Sequence, residues 1–583
     1  MLQLTNQQSD IINAPLTHLA VIACAGSGKT RTAVQRLINI ATNIAEERSK
    51  VALLSFSNIA VQTFKKSLIN NTLPNSNFNV TNSVVIDTFD GFITNYLIRA
   101  HGHRTMGCSC IPFLITGAEQ FLNNNKYKGW YRSGQKDIPI SGKKLHDISI
   151  DFDDNSKEVW AYETRGLVHI LNNGMRLVES LAKTGGYTHE FGRYWALRTL
   201  IEQERITQIL AKKFPYIIVD EAQDIGILHQ CILELLIEQG VQVTLVGDPN
   251  QAIFEFAKAD GQFLKSFKNQ YDARAYSLST NFRSIPQILN VANYLSSRQD
   301  VPDPKYRGRL ENKNHGTFYI SYDPKKPREA IESFLSKVDS ANLDLNNSAV
   351  LCRSRLLIEK INTRSNSPGQ GKTWLLAQAA IFRDAKKDYY KAFELTLSCI
   401  VSLLDGTPDN LYSLVAASNN SKDYRLFKRL VWQFVRSTEK GLPSTKLIAS
   451  KEWHPKLKVQ IVNLIQKIEE MYQYKPVGNI GSKISKRGLL ELPLFDWQSY
   501  ETKHVVNVRT DTVHQAKGES LDAVLYLANK NQIDEMLKGP NSELGRIGYV
   551  ALTRARKLFI LGVPRSSTNS ISLELESAGL SKI

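Results

Sequence analysis

Short, wholly apolar runs alternate with helical stretches along this chain. Leu19–Ala23 (LAVIA) and Phe214–Val219 (FPYIIV) lack the polar alternation of a half-exposed strand. Runs of this kind predict parallel strands buried on both faces. After the first run, Val34, Leu37, Ile38 and Ala41 recur at helical spacing. Tyr389–Leu404 and Leu457–Met471 carry further helical patterns. The longest apolar stretches, Leu19–Gly26 and Leu395–Leu404, fall short of the roughly 18 residues a membrane helix needs. The opening MLQLTNQQSD has neither the basic nor the apolar region of a signal peptide. The expected compartment is cytoplasmic, with no membrane partner.

Charge sharpens this picture. The 583 residues exceed one compact core and suggest three or four domains. Lys and Arg number 73 against 56 Asp and Glu, a net +17. That balance points to a polyanion, of which nucleic acid is the usual one, or to a merely basic enzyme. Six cysteines are too few for a disulfide scaffold, so reduced thiols are expected. His101, His103, Cys108 and Cys110 are zinc-ligand types, but their spacing matches no zinc template, and ordinary loop or core residues are the preferred reading.

The first apolar run leads into CAGSGKTRTAVQRLINIA, in which Ala23–Thr30 reads A-x-x-x-x-G-K-T. This is a P-loop with Ala in place of the usual first Gly. Gly26 and Gly28 let the backbone curl its N–H groups toward an anion, and the helix N-terminus adds its positive end. Ala25, Ser27 and Arg31 complete the cradle, Lys29 reaches the β- and γ-phosphates, and the Thr30 hydroxyl suits Mg²⁺. ATP and Mg²⁺ are therefore the expected cofactors. A second GKT, Gly371–Thr373, follows no apolar run and reads as a loop.

The run Phe214–Val219 ends in Asp220-Glu221-Ala222-Gln223-Asp224. Carboxylates at the C-terminal end of a parallel strand lie where such sheets bind ligands. Asp220 suits Mg²⁺, held through water, and Glu221 suits orienting or deprotonating an attacking water.

DEAQD together with CAGSGKT resembles the superfamily 1 helicases of the UvrD/PcrA/Rep type, and further segments match in order. LTNQQ (Leu4–Gln8) resembles the adenine-reading Q-motif, with Gln8 as reader. LSFSNIA (Leu54–Ala60) and DTFDG (Asp87–Gly91) resemble single-strand-binding motifs, although Asp90 stands where the family usually has His. VGDPNQAIFEF (Val246–Phe256), LSTNFRS (Leu278–Ser284), TVHQAKG (Thr512–Gly518) and GYVALTRAR (Gly548–Arg556) resemble motifs III to VI. The resemblance implies an α/β fold of two RecA-like parallel-sheet motor domains, each with a mostly helical insertion. It places the first motor domain at 1–95 and 200–283 and its insertion at 96–199. The second motor domain falls at 284–360 and 500–583, where AVLCRS (Ala349–Ser354) resembles a family strand, with a helical insertion at 361–499.

By the same resemblance, Phe282 stacks on adenine, Gln251 senses the γ-phosphate, and Arg283 and Arg554 act as arginine fingers. Phe56, Asn58, Thr88, Phe256 and His514 line the DNA track, and Phe89 and Phe254 suit either that track or core packing. The family's Arg after the motif III aromatic is missing, with Ala257 and Lys258 there instead. In motif V, Glu519 directly follows Gly518 and is the expected ribose contact. NNNKYKGWYRSGQK (Asn123–Lys136) suits either a single-strand-binding loop or a solvated one.

These features imply an ATP-dependent helicase or translocase acting on single-stranded DNA and duplex junctions, with 3′→5′ polarity on resemblance alone. The alternative is a DNA-sensing ATPase subunit that gates a partner nuclease in anti-phage defence. Only 27 residues follow Arg556, so any nuclease is expected on another chain.

Overall fold

The computed structural model describes residues 4–44, 49–71, 82–152, 157–164, 167–254, 259–306, 314–362, 371–408, 411–416, 422–487, 489, 491–495 and 508–583. The chain forms two compact units, one of Met1–Ser354 with Val508–Ile583 and one of Arg355–Asn507.

The first unit is built on two six-stranded sheets whose strands all run parallel. The first sheet holds β1 (Leu19–Ala23), β2 (Val51–Ser55), β3 (Val84–Thr88), β4 (Tyr216–Asp220), β5 (Gln242–Gly247) and β6 (Arg274–Leu278), in the order β6-β1-β5-β4-β2-β3. The second holds β7 (Gly316–Tyr322), β8 (Ser348–Cys352), β9 (Arg509–Thr512), β10 (Leu521–Leu527), β11 (Ala555–Pro564) and β12 (Ser581–Lys582), in the order β9-β8-β10-β11-β7-β12. Leu19, Val21, Ile217, Ile218 and Val219 are fully buried. Their strands are apolar on both faces because both faces are covered by other elements.

Five helices of this unit bear on the site: α1 (Asn6–Ile12), α2 (Lys29–Asn43), α3 (His189–Glu202), α4 (Ile227–Glu238) and α5 (Glu543–Arg554). Arg36 of α2 is buried and ties that helix to α1 and to the first sheet. Its guanidinium donates to the carbonyls of Ile11 and Ala14 at 2.7 and 3.0 Å, to Pro15 O at 3.0 Å and to the Tyr216 hydroxyl at 2.6 Å. One side chain thereby fixes the P-loop helix against α1 and β4.

Between β3 and β4 lies a segment that mixes helices with antiparallel strands, where a mostly helical insertion is expected. Gly129–Ser133 pairs with Lys136–Ile140, and Ile148–Phe152, Glu158–Thr164 and Leu167–Ile170 form a three-stranded sheet. The stretch Asn123–Lys136 is accordingly no open loop. Most of it forms a hairpin arm, and Gly134 sits in the turn with φ +62°. The sequence ISIDF explains the local choice, since Ile148 and Ile150 are buried while the intervening residues face outward.

The second unit packs helices Gly371–Asp384, Tyr389–Val401, Lys422–Arg436 and His454–Tyr472 around Leu376, Leu397, Phe427, Val431, Leu457 and Ile461. Gly371–Thr373 opens the first of these helices rather than lying in a loop. Thr373, Leu376, Ala377 and Ala380 recur at helical spacing and are buried, which the single GKT match obscures. Among the described residues, no helix is long and apolar enough to cross a membrane.

Candidate nucleotide and nucleic-acid site

The P-loop connects the C-terminal end of β1 to the start of α2. Gly26 and Gly28 adopt φ of +70° and +79°, the left-handed region that glycine enters without penalty. At Gly26 a second reason applies: a Cβ there would overlap the Cβ of Arg283. The segment carrying Arg283 is pinned onto the loop. Phe282 N donates to Gly26 O at 2.9 Å, and the Asn281 side-chain amide donates to Ala25 O at 2.8 Å. The resulting cleft, about 280 Å³, is lined by Gly26, Ser27, Gly28, Lys29, Thr30, Glu221, Gln251, Phe282, Arg283, Gly518, Ser520, Arg554 and Arg556.

Two carboxylates meet the P-loop from the end of β4. Glu221 has φ +55° and ψ +42°, an unusual backbone for a residue with a side chain. Its carboxylate lies 3.5 Å from Lys29 Nζ and accepts a 2.6 Å hydrogen bond from Gln223 Nε2. Burial works against its charge, but Lys29 and Lys517 outweigh burial and hold its pKa below the usual range. Asp220 has the opposite balance. Burial, then the neighbouring Glu221 charge, push it up to about 7. Its Oδ1 is buried without a hydrogen-bond partner. An orphaned carboxylate oxygen within electrostatic reach of Lys29 fits a divalent cation, which would meet that need.

The far wall of the cleft comes from the second sheet and its helix α5. Arg554, almost wholly buried, ends α5 and donates to Gln251 Oε1 at 2.9 Å. Gln251 in turn donates to Asp248 Oδ2 at 2.8 Å, and Asp248 pairs with Arg298 at 3.1 Å. Arg283 donates to Thr553 O at 2.9 Å. Burial, then the proximity of Arg554, pull the Arg283 pKa down to about 9, and burial also lowers that of Arg554. Two guanidinium groups held close together in a desolvated cleft are prepared for an anion between them.

Several expected nucleotide contacts stand off the cleft wall. Gln8 is buried beside the P-loop. Its amide nitrogen donates to Ser27 O at 3.3 Å, and its oxygen accepts Thr5 N at 3.1 Å as part of an α1 capping box. Ala25 and Arg31 are not in the cleft lining. Glu519 is not in the cleft lining, and Arg509 holds its carboxylate at 2.6 and 2.9 Å. Its neighbours Gly518 and Ser520 line the cleft instead. Sequence reasoning passed over Arg556, although it stands two residues from Arg554 in the same motif.

The expected DNA residues divide. Phe56 is half-buried, and Asn58 is exposed at the start of a helix, Asn58–Asn71. The Thr88 hydroxyl accepts Gly91 N at 2.9 Å and caps a helix. Phe89 corrects the expectation. Only 1% exposed, it packs in the core with its ring 6.0 Å from Phe56 and 4.6 Å from His229, and offers no face to a base. Phe254 is half-buried beside His514, whose Nε2 contacts Ile253 O at 3.0 Å. Phe256, with Ala257 and Lys258, lies outside the described residues.

Asp90 accepts two hydrogen bonds from Arg193 of α3, at 2.8 and 2.7 Å, and contacts His229 of α4 at 3.2 Å. Burial would raise its pKa, but these partners hold it well below the carboxylate range. The acid at the family's His position is therefore neutralised by side chains that sequence spacing could not place beside it. Among the described residues, no three His, Cys, Asp or Glu side chains form a metal cluster. Cys108 and Cys110 instead donate to the carbonyls of Cys110 and Thr184.

A P-loop at the C-terminal end of β1 in one parallel sheet, faced by Arg554 and Arg556 from the second, gives the two-lobed arrangement of the RecA-like type. Residues 4–127 and 193–272 match the UvrD/REP helicase N-terminal domain. In these segments the chain is similar to the UvrD/REP helicases. It is 27% identical over 318 residues to DNA helicase II of Haemophilus influenzae, covering 50% of this chain and 40% of that protein. It is 22% identical over 396 residues to the ATP-dependent DNA helicase PcrA of Staphylococcus epidermidis, covering 63% and 50%. A mitochondrial ATP-dependent DNA helicase of Saccharomyces cerevisiae is 25% identical over 312 residues, covering 51% and 41%. The chain thus spans between 40% and 50% of the length of these relatives.

Proposed function

We propose that the chain is an ATP-dependent DNA helicase or translocase that tracks along single-stranded DNA in the 3′→5′ direction. The observation that carries this reading is the contact between Arg554 of the second lobe and Gln251 of the first, inside the P-loop cleft. Hydrolysis residues split between two lobes make turnover depend on cleft closure, and closure is mechanical work. The names of the relatives, all DNA helicases, support DNA as the track.

Lys29 and the P-loop amides hold the β- and γ-phosphates. Glu221, kept ionised by Lys29, orients water and takes its proton. Arg283 and Arg554 offset the charge that builds on the transferring group. Asp220 and Thr30 would hold Mg²⁺, which when bound supplies further positive charge to the phosphate oxygens. Phe56 and Phe254 offer stacking faces that grip bases without reading them.

The test is ATP hydrolysis with and without single-stranded DNA, alongside Glu221→Gln, followed by strand displacement on 3′-tailed and 5′-tailed duplexes. DNA-stimulated hydrolysis and displacement of the 3′-tailed substrate, both lost in Glu221→Gln, are expected. Hydrolysis indifferent to DNA would overturn the reading, and preference for the 5′ tail would overturn its polarity.

A further inference from the structure

Lys517 belongs to neither the cleft lining nor the expected DNA residues, yet it touches both systems. It comes from the second lobe, just after β9. Its Nζ lies 2.6 Å from both carboxylate oxygens of Asp224, which follows β4 in the first lobe. Both side chains are almost fully buried, at 8% and 5% exposure. The same Nζ lies 4.7 Å from the centre of the Phe254 ring. Its charge also helps keep Glu221 ionised.

We propose that Lys517 is a positioning residue that couples nucleic acid on Phe254 to closure of the ATP cleft. This rests on the helicase reading and adds its transmission element. The ammonium is shared between a carboxylate and an aromatic face. A cation over the Phe254 ring draws electron density from it, which strengthens its stacking with an electron-rich base. A stacked base in turn favours the seated ammonium, because coupling between two binding events is reciprocal. A seated Lys517 joins the lobes at Asp224, only three residues beyond Glu221. The joint is specific because a buried ammonium must have its partner: leaving either charge unpaired in this interior is strongly disfavoured. Nucleic acid on Phe254 thereby favours the arrangement in which Arg283 and Arg554 face the P-loop. Lys517 touches no reacting atom, so its effect appears in the coupling rather than in the chemical step alone.

The experiment uses the full chain and an oligo(dT) strand. Steady-state ATP hydrolysis, with and without DNA, is measured for the wild type, Lys517→Met, Asp224→Asn, the double variant and Lys517→Arg. DNA affinity is measured with and without a non-hydrolysable ATP analogue, and thermal unfolding is followed for each protein. In Lys517→Met the ratio of DNA-stimulated to basal turnover falls about tenfold, with a KM for ATP within about twofold of the wild type. The analogue no longer alters DNA affinity. The double variant falls no further than the more affected single one, because both remove the same contact. Lys517→Arg, which keeps a cation at the ring and carboxylate, recovers much of the ratio.

Single losses that multiply in the double variant would overturn the proposal. So would basal and stimulated rates falling in step, or an undiminished stimulation ratio. If Lys517→Met does not fold, Asp224→Asn and Lys517→Arg carry the same readouts. A wild type without DNA stimulation sinks the helicase reading itself, whereas a stimulated wild type with an equally stimulated Lys517→Met sinks only the coupling.

Discussion

Replacing Arg554 with Met keeps the length of the side chain and deletes its guanidinium. Three well-formed hydrogen bonds disappear, to Gln251 Oε1 at 2.9 Å, to Val550 O at 3.2 Å and to Glu519 O at 3.2 Å, along with a longer one to Thr553 Oγ1 at 3.4 Å. At about 1 kcal/mol net each, their loss costs roughly 3 kcal/mol of stability. The deleted group is also a cation whose burial lowers its pKa. Removing a buried charge returns a few kcal/mol of desolvation, so the net change in folding stability is about 1 kcal/mol or less. Catalysis has no such offset. An arginine aimed at a transferring phosphoryl group contributes about 10³-fold or more, some 4 kcal/mol of barrier. Turnover at saturating DNA and ATP should therefore fall about 10³-fold, while the unfolding temperature barely moves. Lys at this position should rescue little, because it cannot reach Gln251, Val550 and Glu519 with a planar fork. The readouts are steady-state hydrolysis, binding of a fluorescent ATP analogue and thermal unfolding. A turnover loss below about tenfold, or a loss matched by unfolding, would refute the assignment.

The two neighbouring phenylalanines should separate cleanly. Phe89→Ala opens a cavity in the core and should cost about 3–5 kcal/mol in urea unfolding, whereas Phe56→Ala should weaken oligo(dT) binding by about 1–3 kcal/mol. Equal effects on stability and binding would contradict the burial of Phe89. Arg193→Met strips Asp90 of its main partner and should destabilise the fold by about 2 kcal/mol at neutral pH, toward the low end for a buried pair because Asp90 is partly exposed. The folded pKa of Asp90 lies below its unfolded value. Its contribution is therefore complete above about pH 4 and fades as pH falls through the folded value. The stability gap between wild type and Arg193→Met should narrow between pH 7 and pH 3, and a constant or widening gap would count against the ion pair.

Local physics was legible where the backbone itself carries it. LAVIA and FPYIIV could only be strands covered on both faces, and a glycine-bearing loop between such a strand and a helix could only be an anion cradle. Lys29 and Glu221 follow those strands directly and line the cleft, whereas Gln251, also in the lining, is legible only through the resemblance of its motif. Contacts across long separations were not. Nothing near Asp90 announces Arg193 or His229, and nothing in TVHQAKG says that Lys517 meets Asp224. Phe89 misled because a motif position gives the residue type without the direction of its ring. Gly518-Glu519 does not announce that Arg509, ten residues earlier, holds the Glu519 carboxylate. A mostly helical insertion after β3 follows from the resemblance, and the strands found there are short and partly exposed, so their alternation in the sequence is weak.

The backbone of Glu221 carries a further consequence. A side-chain-bearing residue in the left-handed region is strained by about 1 kcal/mol, and glycine or asparagine would sit there more easily. In that conformation the carboxylate lies 3.5 Å from Lys29 Nζ. Stability and turnover thus pull this one position in opposite directions. A variant library screened only for heat resistance would drift toward Gly or Asn at residue 221 and would collect folded, robust and inert proteins. Screened for ATP consumption, the same library would keep the strained glutamate.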